Sequence, residues 1–262
     1  MKKRKTSILL LATVIITALF YYSCSEDTTT GTSTSTGNLE PYPFINLRVG
    51  ALYNYNNDSL TATDSIRTDV VTRAAITANI PYFGKNAFRI IGVSFDTFPP
   101  PPQIISIDTV YVSSDSVAKK FYQFGITKIL DSAEEGSWDV IADFSVPLGQ
   151  QYQIAIDTAQ IGTFGIIANI KGTVIGSTSV NTTSFPPVAI LCYRIEIRVD
   201  LTTLIGGIPI GTAYVDYYLG YTPQSSPTNP SGLVKLKLRP FTVTGLGPVP
   251  GFNQQLQSFI IP

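Results

Sequence analysis

Tyr-Arg-Ile-Glu-Ile-Arg-Val-Asp-Leu, residues 193–201, sorts its side chains into two sets that alternate one by one. Tyr193, Ile195, Ile197, Val199 and Leu201 fall on one face, while Arg194, Glu196, Arg198 and Asp200 fall on the other. A helix turns once in about 3.6 residues and would mix the two sets, whereas a pleated strand with one wet face separates them. The same reading holds for residues 234–239, where Val234, Leu236 and Leu238 oppose Lys235, Lys237 and Arg239. Two such strands, each charged on one side, predict an antiparallel sheet with one face solvated.

Outward from these anchors the alternation continues through Ile66 to Ile80, Phe88 to Phe95, Ile104 to Val112, Lys119 to Leu130, Gln151 to Ile161, Phe164 to Ile175, Ile208 to Tyr218 and Gln254 to Ile261. Val, Ile, Tyr and Phe fill the apolar positions, as strands favour. Turn residues cluster at Asn56-Asn57-Asp58-Ser59, Asp131 to Gly136 and Pro223 to Gly232, and each cluster is expected to close a hairpin. Pro99 to Pro102 cannot donate to a ladder and reads as an extended connection between strands. Glu134-Glu135 is the candidate for a short helical turn. The expected fold class is all-β, an antiparallel curved sheet, half-barrel or sandwich, in one domain over residues 41–262.

Ahead of that body stands a leader. MKKRKTSILLLATVIITALFYYSC joins a basic start to an apolar run from Ile8 to Tyr22 and a small residue, Ser23. The run is shorter than the ~20 residues of a stable membrane-spanning helix, so residues 1–23 read as a secretory signal peptide. Cys24 follows directly, where acylation of a lipoprotein occurs. Ser23-Cys24 is similar to the end of a bacterial lipobox, with bulky Tyr21 and Tyr22 in place of the usual Leu and small residue. The next segment, through residue 40, is rich in Ser, Thr and Gly, with the chemistry of a flexible tether. Ser25, Glu26 and Asp27 resemble the acidic export signal of Bacteroidota-type surface lipoproteins. A lipid anchor at Cys24 and an outer-membrane address, periplasmic or surface-exposed, are therefore expected.

Four of the eighteen basic residues, Lys2, Lys3, Arg4 and Lys5, lie in the leader, leaving fourteen against eighteen acidic ones and a mature net charge of −4. Nucleic acid is not an expected partner, because its binding draws on clustered cations. The chain has no histidine. A Ser-His-Asp triad, a Cys-His pair and histidine-ligated metal are thereby closed off, and no metal or cofactor is expected. Cys192 lies among apolar residues in VAILCYRIEI and reads as a buried thiol.

The ends of the body resemble a group of uncharacterised bacterial lipoproteins of Bacteroidota/Chlorobi type. Phe44 to Tyr55, FINLRVGALYNY, carries the V-G-x-x-W/Y opening strand with Val49-Gly50, Tyr53 and Tyr55. Gly232-Leu233-Val234-Lys235 and Leu256-Gln257-Ser258-Phe259 match the closing G-L-V-K and L-x-S-F strands. The resemblance implies a curved antiparallel sheet, somewhat like the half-barrels of periplasmic lipoprotein carriers, and brings no activity with it.

The function expected from these features is a non-enzymatic, membrane-tethered binding or structural module for an apolar or acylated ligand or an envelope protein. Candidate ligand-binding residues are the aromatics Tyr214, Tyr217, Tyr218 and Tyr221 around one strand, together with Trp138. Alternation places Tyr214 and Tyr218 on one face and Tyr217 and Tyr221 on the other. A carboxylate-based hydrolase acting on glycans would draw its acid pair from Glu134, Glu135, Asp139 and Asp143. An adhesive scaffold is the third class. Calcium at Asn54 to Asp58 with Asp64 lacks the glycine and spacing of an EF-hand loop, and a hairpin turn is expected there instead.

Overall fold

A computed structural model describes residues 45–61, 64–125, 136–161, 164–223, 228–245 and 247–262. The leader, Cys24, the tether and the Glu134-Glu135 segment lie outside the described residues.

Among the described residues the chain forms fourteen strands: β1 (Leu52–Leu60), β2 (Ser65–Tyr82), β3 (Lys85–Asp96), β4 (Gln103–Asp115), β5 (Lys120–Phe124), β6 (Trp138–Asp143), β7 (Gln151–Ile161), β8 (Phe164–Asn181), β9 (Ala189–Thr203), β10 (Pro209–Gly220), β11 (Gly232–Leu238), β12 (Phe241–Val243), β13 (Gly247–Val249) and β14 (Gly251–Ile260). Twelve of them make one antiparallel sheet in the order β6-β5-β4-β3-β2-β1-β14-β11-β10-β9-β8-β7, while β12 and β13 pair as a small ribbon. Two meanders, β1 to β6 and β7 to β11, are therefore joined side by side by a single late strand, β14. It lies between β1 and β11.

The two ends of the sheet, β6 and β7, are consecutive in the chain and close to each other in space. Tyr152 of β7 donates its hydroxyl to the Ile141 carbonyl of β6 at 2.6 Å, and Phe144 packs edge-on against Tyr193 of β9 with ring centroids 5.1 Å apart. Such closeness requires a sheet strongly curved by its own twist. The result is a nearly closed, barrel-like sheet. Gly172 faces Tyr152 across the β7–β8 ladder, and a Cβ there would run into the phenol ring, so only glycine lets the ring lie flat on the backbone.

The inner face follows the alternation read from the sequence. Ile195 and Ile197 sit opposite Tyr217 and Val215, which in turn sit opposite Leu236 and Leu238, and all are buried. Residues one step along each strand, Arg194, Glu196, Tyr218 and Lys235 among them, point outward. Within β9 the buried parity changes between Cys192 and Tyr193, so Ile190 and Cys192 are buried as well.

One local expectation fails. Asn56-Asn57-Asp58-Ser59 is not a turn but the middle of β1, paired with Gln255, Gln254, Asn253 and Phe252 of β14 on one side. Asn56, Asn57 and Asp58 are buried. Ladders on both sides of the strand outweigh the intrinsic turn preference of three residues, and the turn falls beyond them, where the Thr61 amide donates to the Asp64 carbonyl at 2.8 Å. The same pairing replaces the hairpin weighed against calcium at Asn54 to Asp58. Of the strand expected from Lys119, Lys120–Phe124 form β5, and residues 126–130 lie outside the described residues.

Candidate ligand cavity

Between the first meander and β10, β11 and β14 the inner face leaves a cavity of about 370 Å³. One wall is Tyr53 and Tyr55 of β1, Ala74 and Ile76 of β2, Ile90 of β3, Val110 and Val112 of β4 and Phe121 of β5. Tyr217 and Leu219 of β10, Leu236 of β11 and Gln254 of β14 form the facing wall. Leu47, at the start of the described chain, and Ser231 to Leu233 border it near the β10–β11 connection. The residues of the two facing walls contribute from the inward positions of their strands; the space persists because the two walls do not interdigitate there.

The phenols in the lining are committed to the protein. β11 pairs with β14 only over residues 235–238, which leaves the carbonyls of Ser231 and Leu233 outside that ladder. Tyr53 and Tyr55 reach across and donate to them at 2.9 and 2.8 Å. Burial pushes the Tyr53 phenol up to about 12, with the Arg48 charge pulling weakly the other way. Tyr217 donates to the Gln123 amide oxygen at 3.3 Å, and burial raises its phenol further. Tyr53 and Tyr217 remain neutral hydrogen-bond donors at physiological pH.

The aromatic candidates scatter. Tyr217 lines the cavity. Tyr214 lies on the outer face beneath Arg239, whose guanidinium carbon is 5.1 Å from the ring centroid. Tyr218 is half-buried on that same outer face, its phenol raised by burial and by Asp216. Tyr221 packs on Tyr193 at 4.8 Å. Trp138 opens β6, donates its indole N–H to the Phe83 carbonyl at 3.0 Å and meets Phe124 edge-on at 5.3 Å. Of the five, the structure brings one to the cavity and packs the others elsewhere.

On the outside of β9 to β11 the charges form a closed network. Arg194 and Arg239 both bind Asp216, at 2.8 Å from each Nη2, and Arg239 also binds Glu196. Asp216 is 3% exposed. Burial alone would raise its carboxyl, but the hydrogen bonds and charges of Arg239 and Arg194 outweigh it and hold the group below the usual range.

The acid candidates divide similarly. Asp143 is held by Lys120 at 3.0 Å and by Ser145, and Asp139 is buried on the same strand. Among the described residues, Asp108 is the one carboxylate lining the cavity, and no cluster of three or more Cys, Asp or Glu stands ready for a metal. Cys192 is fully buried, its thiol pushed up by burial and donating to the Ile190 carbonyl.

Tyr53, Tyr55 and Gln254 are not among the ligand-binding candidates that the sequence singles out. Their signal is Asn253-Gln254-Gln255, three consecutive amides inside a strand, facing the polar run of β1. Amides at both parities violate the alternation and mark a buried polar site.

The fold and site define a class: an all-β, nearly closed antiparallel sheet with an apolar internal cavity and a few placed polar groups. No family model matches the sequence, and no curated protein does. Among solved structures, the chain is similar to a candidate lipoprotein from Parabacteroides distasonis, with 11% identity and a TM-score of 0.49 over 85% of this chain and all of that one. It is also similar to a candidate exported protein with a YmcC-like fold from Bacteroides fragilis, with 12% identity and a TM-score of 0.44 over 84% of this chain and all of that one.

Proposed function

We propose that the chain is an envelope lipoprotein whose β domain, residues 41–262, holds an apolar or acylated ligand without transforming it. In this reading residues 1–23 direct export, Cys24 carries the lipid and residues 24–40 are the tether. The observation that carries the binding role is the cavity of about 370 Å³ with its mainly aliphatic and aromatic lining. Its size falls within the ~300–1,000 Å³ typical of small-ligand sites and is roughly twice an engineered apolar cavity that admits benzene. One acyl chain is a better match than a lipid with several. With the phenols committed to carbonyls and to Gln123, the walls offer apolar contact rather than a nucleophile or a proton relay.

Organic extraction of the mature protein purified from its own envelope, followed by mass spectrometry, tests this directly. A stoichiometric single-chain lipid is expected from the wild type, with less from Ala74→Phe, which fills the space beside Ile76. Equal recovery from both would place the lipid on the anchor or the surface and end the proposal. For the anchor, palmitate labelling in cells is expected to vanish in Cys24→Ala; persistent labelling would contradict it.

A further inference from the structure

We infer that the cavity selects a single-chain amphiphile with an uncharged, hydrogen-bonding head group, an amide or a hydroxyl, and that Gln254 is the residue that reads it. This rests on the cavity being an apolar ligand site. Gln254 lines the cavity and is 0% exposed, yet neither its Nε2 nor its Oε1 has a partner in the protein. The tyrosine hydroxyls in the same lining are engaged, so Gln254 is the deep polar group with hydrogen bonds left to make. A buried amide in that condition is costly to the fold.

Gln254 is the end of a polar row. The register sets it opposite Asn57, then sets Thr72 opposite Ser94 and Ser94 opposite Ser106, so the row crosses β14, β1, β2, β3 and β4 on the inner face. Asn57 donates to the Thr72 hydroxyl at 3.3 Å, and Thr72 shares a 3.0 Å bond with Ser94. Beyond those bonds, Asn57 Oδ1 and Ser106 Oγ also lack partners. The row is thus anchored in its middle and open at both ends, at Gln254, which lines the cavity, and at Ser106.

The chemistry of an amide decides the head group. Gln254 presents a donor and an acceptor side by side, which a ligand amide answers with both and a hydroxyl can answer in turn. A carboxylate offers only acceptors. It would leave Oε1 unpaired and bring a charge into an apolar interior where Asp108 is the one acid and no Lys or Arg is among the described lining residues. A plain alkane would leave both amide atoms as they are.

The test uses the mature full-length protein in nanodiscs and two photoreactive probes of equal chain length, dodecanamide and dodecanoate, each with the reactive group at the far end of the chain. Above neutral pH, labelling mapped by mass spectrometry to the lining strands is expected to favour the amide by about tenfold, the worth of roughly one net hydrogen bond. Gln254→Leu should erase that preference, and Gln254→Met repeats the comparison with an unbranched side chain. Equal labelling by both probes in the wild type, or a preference that survives both substitutions, would overturn the inference and assign Gln254 to a buried water. Labelling of the lining by neither probe would overturn the cavity reading itself.

Discussion

Two polar groups of residues lie on opposite faces of the same sheet, one on β1 and β14 and the other on β9, β10 and the end of β11. Outside, Arg194, Glu196, Asp216 and Arg239 are joined by ion pairs and hydrogen bonds, with both Asp216 oxygens engaged. Inside, Asn57 and Gln254 face each other across β1 and β14 with amide atoms unpaired. Water can repair an imperfect contact on the outer face, whereas an orphaned group inside costs roughly 1–3 kcal/mol. The better-satisfied network is therefore the structural one. A place where the interior departs from its own packing rules is where a binding site is expected.

Breaking the outer network gives the largest expected effect. Asp216→Ala strands two arginines that converge on one buried carboxylate, and a loss of roughly 2–4 kcal/mol is expected in urea unfolding. The size of this loss should depend on pH. Because the folded carboxyl titrates below its ordinary value of 3.8, its stabilisation is complete above that value and disappears as the pH falls through the lower, folded one. The gap between wild type and Asp216→Ala should be constant near neutrality and close in acid. Asp143, lowered against its burial by Ser145 and Lys120, adds a second acid-sensitive contribution elsewhere in the sheet.

The inner row should respond with the opposite sign. Gln254→Leu removes two unsatisfied atoms and should raise stability by about 1–3 kcal/mol, measured in the same unfolding series. A loss of that size would mean that Gln254 is already satisfied, and the contrast between the two faces would collapse. Smaller still is Tyr55→Phe, which frees the Leu233 carbonyl where β11 and β14 part; about 0.5–1.5 kcal/mol should be lost, with the fold unchanged. A neutral result would show that water takes the place of the phenol.

Much of the fold was legible because alternation is local. Residues 193–201 and 234–239 announced their faces, and those faces hold in the structure. The two ends of the body meet in space: the opening strand and the last strand pair directly, and Tyr53 and Tyr55 donate to the Ser231 and Leu233 carbonyls at the start of β11. What could not be read was long-range. That β14 inserts between β1 and β11 is fixed by register across the whole chain, and it turns Asn56 to Asp58 from apparent turn residues into buried strand. The aromatic candidates are dispersed for a related reason. Tyr214 and Trp138 are conspicuous as residue types, but a strand one position out of phase or a neighbouring arginine decides whether a ring meets a ligand or the protein.

The central claim is that the space between the two walls binds an apolar chain. Titration calorimetry of dodecanamide into wild-type protein and into Ala74→Phe, matched for unfolding midpoint, addresses it most directly. Saturable binding to the wild type and its loss in the filled variant are predicted. Equal binding to both would show that the ligand lies elsewhere and contradict the account.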